Sequence, residues 1–165
     1  WLKKFKGGSM YIFGSHLMDL VVSILGEPKK VYPFIKQTGF EGVYSDDNNF
    51  AVLEYDKAIA KITNLSVEVN GWGMRRFAVM GSKGTVEIKP IELNVEMTKS
   101  TTDIASNAYQ DMKEKVDIKD VPTLSRYDEM MKDFYKSVIG EKENPYSYEH
   151  ELAVQKTLCR VVGEN

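Results

Sequence analysis

The stretch "RRFAVMGSKGTVEIKP", residues 75–90, decides the fold. Two apolar runs flank Gly81-Ser82-Lys83-Gly84, and a short glycine-bounded turn between apolar runs reads as a β-hairpin. On its amino-terminal side, "FAVLEYD" (50–56) and "AIAKITNLSVEV" (58–69) read as a second hairpin with a tight turn near Lys57. Before them, "KKVYPFIKQT" (29–38) is a strand in which Pro33 predicts an edge or a bulge, because proline cannot donate to a sheet ladder. The segment "GFEGVYSDDNN" is a polar loop. On the carboxy-terminal side, "LNVEMT" (93–98) alternates, with Leu93, Val95 and Met97 on one face and Asn94, Glu96 and Thr98 on the other. "EKVDIKD" (114–120) adds one more strand.

Helices are expected only outside this run of strands. Gly7-Gly8 precede, and Gly26 and Pro28 end, a helix over about 9–25 whose core face is expected to be Phe13, Leu17, Leu20, Val21 and Ile24. "SRYDEMMKDFYKSVIG" is a helix capped by Ser125, with Tyr127, Met131, Phe134 and Val138 as its buried stripe. "SYEHELAVQKTLCRVVG" starts at Ser147 and places Val154, Leu158 and Val161 on one side. Short turns between strands imply antiparallel pairing. The predicted fold is therefore α+β: an open, mainly antiparallel β-sheet with helices packed on one face. The other face is left free for water or for oligomerisation with another copy of the chain.

With 165 residues, the chain suits one domain, residues 1–165. A formal net charge of −2 gives no nucleic-acid footprint, and Lys3, Lys4 and Lys6 are too few to form one. Cys159 is the single cysteine, which excludes an internal disulfide and points to a reducing, cytoplasmic setting, with the thiol buried and structural. The most apolar helix is interrupted by Asp19 and is too short to span a bilayer. No signal peptide is legible, and a chain beginning at Trp1 reads as a piece of a longer protein.

Three signatures fail. "GWGMRR" has Arg76 where a dinucleotide fingerprint needs its third glycine, and it lies between strands. "GSKGT" closes a hairpin and lacks phosphate-loop spacing. His150, beside Glu149 and Glu151 on a surface helix, has no ligand partner at metal spacing, so no metal site is expected.

His16 is different. Ile12, His16, Asp19 and Ser23 share one stripe of the first helix, bordering its apolar face. Asp19, one turn after His16, is placed to accept a hydrogen bond from one imidazole nitrogen, leaving the other free for proton transfer. The alternative is that His16 and Asp19 merely satisfy each other at a domain boundary, and helical projection leaves both readings open.

Gly7-Gly8, Gly14, His16, Asp19, Leu20, Gly26 and Pro28 resemble a motif of the Gfo/Idh/MocA oxidoreductases. In that family a glycine pair is followed by G-x-H-x-x-D-L and a closing G-x-P. The hairpin at 75–90 and the closing helix are similar to two further family features, so the resemblance covers essentially the whole chain. It implies a two-domain enzyme: an amino-terminal Rossmann domain, absent here, that binds NAD or NADP, and a carboxy-terminal domain that holds a sugar, cyclitol or similar polyol. The carboxy-terminal domain is also expected to form a homo-oligomer through its open sheet face. The resemblance makes His16 the catalytic residue and Ile12 and Asp19 substrate-pocket residues. Gly7 and Gly8 would allow close backbone approach to cofactor or substrate. The fragment alone is expected to bind no cofactor and to be inactive. Many family members carry an aspartate four residues before the histidine; here that residue is Ile12. This departure supports the rival reading, a non-catalytic binding or assembly module with the same fold.

Overall fold

A computed structural model of the chain describes residues 4–43, 45–92, 94–102, 114–116 and 126–164. The order is α1 (Ser9–Leu25), β1 (Lys30–Lys36), β2 (Asn48–Glu54), β3 (Ile59–Leu65), α2 (Gly71–Met74), β4 (Phe77–Gly81), β5 (Gly84–Ile88), β6 (Met97–Thr101), β7 (Glu114–Val116), α3 (Arg126–Val138) and α4 (Tyr148–Val161). All strand pairs are antiparallel, as the short turns predict, but the strands belong to two sheets, β1-β2-β3 and β4-β5-β6-β7. The chain divides into two compact units, residues 1–68 with 143–165, and residues 69–142. Among the described residues, no helix is long and apolar enough to cross a membrane.

The first unit is a three-stranded sheet with α1 and α4 packed together on one face, α1 against β3 and α4 against β1. Its strands alternate. Asn49, Ala51 and Leu53 of β2 point inward, and with Ile62, Met10, Met18, Leu158, Val161 and Val162 they make the core. On the opposite face Tyr32, Phe34 and Ile59 are exposed, and Phe34 packs on its cross-strand partner Phe50. Pro33 lies on the edge strand β1, where its missing N–H costs no ladder bond. Tyr55 N–H donates to Ala58 O at 3.0 Å and closes the β2–β3 turn.

The entry to α1 is built by its glycines and one loop. Gly7 N–H donates to Asp46 Oδ2 at 3.0 Å, Ser9 N–H donates to Asp46 O at 3.0 Å, and Asn49 Nδ2 donates to Ser9 Oγ at 3.0 Å. A carboxylate at this end also complements the helix dipole. The limits of α1 match the expected ones, but its buried face is rotated. Met10, Gly14, Met18 and Val22 are buried, whereas Phe13 and Ile24 are each 52% exposed and Leu20 is 39% exposed. Only Leu17 and Val21 of the expected stripe touch the core. The helix is apolar almost all the way round, so periodicity alone offers two candidate faces. The expected stripe of α4 does hold: Leu158 and Val161 are buried and Val154 packs beside them. Cys159 is half-buried, with Gln155 Nε2 donating to its Sγ at 3.4 Å.

The second unit is a meander. Gly81 pairs with Gly84 across the expected turn. The strand read at 93–98 starts later, at Met97, and runs through polar residues to Thr101. Asn94 adopts φ +57°, a left-handed conformation that asparagine tolerates and that breaks a strand. Leu93 and Ser125 lie outside the described residues, as do residues 117–120 of the last predicted strand. Helix α3 forms as expected, yet Tyr127, Met131, Phe134 and Val138 are 57 to 67% exposed rather than buried. Hydrophobic spacing specifies a stripe but not the element that covers it.

Candidate functional site

His16 is exposed and lines a depression of about 300 Å³ with Ser15 and Asp19 of α1, Glu151 and Val154 of α4, and Tyr146. Tyr146 and Glu151 also border an adjoining depression of about 520 Å³, with Asn144, Ser147, Tyr148 and Glu149. The larger depression holds no histidine. The smaller one joins an imidazole, two carboxylates and a phenol within reach of one small ligand.

Asp19 does not pair with His16. Its Oδ1 lies 2.6 Å from Nε2 of His150, on the opposite helix. A carboxylate only accepts, so Nε2–H of His150 donates. The pair is sheltered, with the His150 side chain 21% and the Asp19 side chain 43% exposed. Sequence reasoning placed His150 on the surface with no role, and its link to Asp19 spans 131 residues, so no local signal could reveal it. The one local clue is Ser147, whose Oγ accepts the backbone N–H of His150 at 3.1 Å and caps α4. The Tyr146 ring lies 6.3 Å from the His150 ring. Glu149 is held below the usual carboxylate range by its own backbone N–H and by the Ser147 hydroxyl.

The other expected site residues lie elsewhere. Ile12 is half-buried and outside the depression; its carbonyl accepts Ser15 Oγ at 2.7 Å. Ser23 likewise returns its hydroxyl to its own helix, at Leu20 O. Gly7 and Gly8 are buried, and the close approach they permit is internal. A Cβ on Gly7 would stand 2.3 Å from Val162 Cγ1, and one on Gly8 would stand 2.3 Å from Asp46 O. The segment "GWGM" is the single turn α2, and Trp72 there carries the Arg75 guanidinium at 3.9 Å from its ring centre.

The family model described as "Oxidoreductase family, C-terminal alpha/beta domain" of the Gfo/Idh/MocA group matches residues 1–162. The chain belongs to this family. Its fold is shared with solved structures described as oxidoreductases. One, described as a "putative NADPH-dependent oxidoreductase" from Desulfitobacterium hafniense, aligns with TM-score 0.72 and 17% identity over 94% of this chain and 45% of that one. Another, a "putative oxidoreductase" from Klebsiella pneumoniae, aligns with TM-score 0.68 and 17% identity over 93% of this chain and 46% of that one. The chain thus spans about half the length of these relatives, and at such identity the likeness is one of fold. No curated protein matches.

Proposed function

We propose that this Gfo/Idh/MocA domain is the substrate-binding half of an NAD(P)-dependent oxidoreductase. The whole protein would transfer hydride between a nicotinamide and a sugar, cyclitol or similar polyol, with His16 as the acid–base group. The observation that carries this reading is His16 itself: it occupies the motif position of the family histidine and lines a depression with Ser15, Asp19, Tyr146 and Glu151. These side chains offer both donors and acceptors to a polyhydroxylated ligand, and Val154 offers an apolar patch. In the oxidative direction an imidazole nitrogen of His16 takes the hydroxyl proton as the alcohol becomes a carbonyl; in reduction it returns that proton.

In this reading neither the glycine pair nor α2 holds the dinucleotide. The glycine pair is filled by Asp46 and Val162, and α2 is one turn long. The reading therefore assigns the nicotinamide to an amino-terminal Rossmann domain and only substrate and proton handling to this chain, which alone is expected to be inactive. A cytoplasmic enzyme is part of the same reading, on the strength of the lone Cys159.

Two observations favour a second reading, a non-catalytic binding or assembly module. Ile12 supplies no carboxylate, and Asp19 is engaged by His150. The apolar outer face bearing Tyr32, Phe34 and Ile59 suits a second copy of the chain under either reading. His16→Ala in the full-length protein separates them. Turnover of a sugar and cyclitol panel, followed by NADH and NADPH absorbance, is expected to fall about 100-fold or more. Undiminished turnover defeats the catalytic assignment, and cofactor binding without oxidation of any polyol favours the module. Light scattering is expected to give a dimer or larger species, and a strict monomer at high concentration contradicts the assembly face.

A further inference from the structure

We propose that His150 is a positioning residue of this site: by holding Asp19 it withholds that carboxylate from His16. Asp19 follows His16 by three residues, which puts their Cβ atoms about 5–6 Å apart on one helix face, within reach of a side-chain rotation. The carboxylate instead crosses to α4, where Nε2 of His150 meets it at 2.6 Å. His150 is fixed for this task. Its backbone N–H is bound by Ser147 Oγ and its ring lies beside Tyr146. Ile12, one turn before His16, has no acceptor to substitute. His16 thus faces the depression with no hydrogen bond to any described residue, and the other ionisable groups bordering it are Glu151 and Tyr146.

Removing the His150 ring frees Asp19, and the nearest imidazole is then His16. A carboxylate that gains an imidazole partner favours the imidazolium, so His16 should hold its proton to higher pH. A helix-to-helix staple with no bearing on His16 would not have this effect.

The chain has only two histidines, so its imidazole C–H resonances report both titrations by NMR. In His150→Ala the His16 midpoint is expected to rise by about one pH unit. In the double variant Asp19→Asn with His150→Ala it is expected to return to the parent value, because the released carboxylate is gone; failure to return would assign the rise to Glu151 or Tyr146 and overturn the proposal. In Asp19→Asn alone it is expected to move by less than about half a unit, a through-space effect only. An unmoved His16 midpoint in a folded His150→Ala chain overturns the proposal. A fall of about one unit or more in Asp19→Asn overturns it equally, since that size marks a direct hydrogen bond. The asparagine oxygen can still accept from His150, so this arm stands even if His150→Ala does not fold.

The catalytic meaning rests on the reading of His16 given above. In the full-length oxidoreductase, His150→Ala should carry the acid limb of the kcat/KM profile for alcohol oxidation to higher pH by the same interval. If the NMR shifts occur but no turnover depends on His16, the functional reading fails and the positioning role stands.

Discussion

Gly8 and Asp46 approach so closely that a Cβ on Gly8 would lie 2.3 Å from the Asp46 carbonyl oxygen. Gly8 also has φ +47° and ψ −113°, a backbone conformation that a residue with a side chain rarely adopts. Gly8→Ala should therefore cost about 2–5 kcal/mol, backbone strain and overpacking together. Gly26→Ala is the control: φ is +73° there too, but nothing lies within 4 Å of the new methyl group. With ψ −163° Gly26 stands in a region that is essentially glycine's alone, so the cost is expected to be about 1–3 kcal/mol, from backbone strain without overpacking. Denaturant unfolding of the two variants measures the difference.

The rotated burial of α1 gives a contrast on a single helix. Met18 is fully buried, and Met18→Ala should cost about 2–5 kcal/mol. Phe13 is 52% exposed, and Phe13→Ala should stay within about 0.5 kcal/mol. The same unfolding measurement checks both, and a larger loss at Phe13 would favour the face that helical periodicity predicts.

On the outer face of the first sheet, Tyr32 Oη–H donates to Glu54 Oε2 at 2.7 Å, and Lys30 Nζ lies 3.3 Å from Glu54 Oε1. These two donors, Tyr32 first, hold the Glu54 carboxyl below its ordinary value of 4.5. A depressed carboxyl contributes stability above its unfolded value, and that contribution is lost as pH falls through the folded one. The bond to Glu54 pushes the Tyr32 phenol above 10.0, and Glu54 also raises Lys30 above 10.5. Their contributions are complete below those values and are lost as pH rises beyond them. Glu54→Gln should therefore flatten the stability profile below about pH 4.5 and above about pH 10. Both effects should be small, since the groups are exposed. Thermal melts across pH, parent against variant, follow this.

Ser147→Ala removes the cap of α4, in which Ser147 Oγ accepts the His150 N–H at 3.1 Å. A loss of about 1 kcal/mol is expected in denaturant unfolding. Ser147→Asp, which keeps an acceptor and adds a favourable charge at the helix start, should restore it.

Features set by neighbouring residues are legible in the amino-acid sequence itself. The turn at residues 81–84, the limits of α1 between Gly8 and Gly26, the edge position of Pro33 and the capping by Ser147 all follow from local chemistry. Features set by a distant partner are not. The burial of Met18 rather than Leu20 depends on where α4 and β3 lie against α1. The Asp19–His150 pair joins residues 131 positions apart, and the open stripe of α3 depends on what covers it. His16 falls between these cases. Its stripe is readable from helical spacing, while the residues that share its depression from residue 146 onward are not.

The first unit is made from the two separated stretches 1–68 and 143–165, and α1 and α4 pack against each other. During synthesis, a nascent chain that has reached residue 142 already carries His16 but not yet Tyr146, His150 or Glu151. Its sheet β1-β2-β3 would present Leu53 and Ile62 without the covering helix residues Leu158 and Val161. Helix α4 must emerge from the ribosome before either the core or the depression at His16 is complete. Any truncation upstream of α4 then removes both the covering residues of the core and the far wall of the depression at His16.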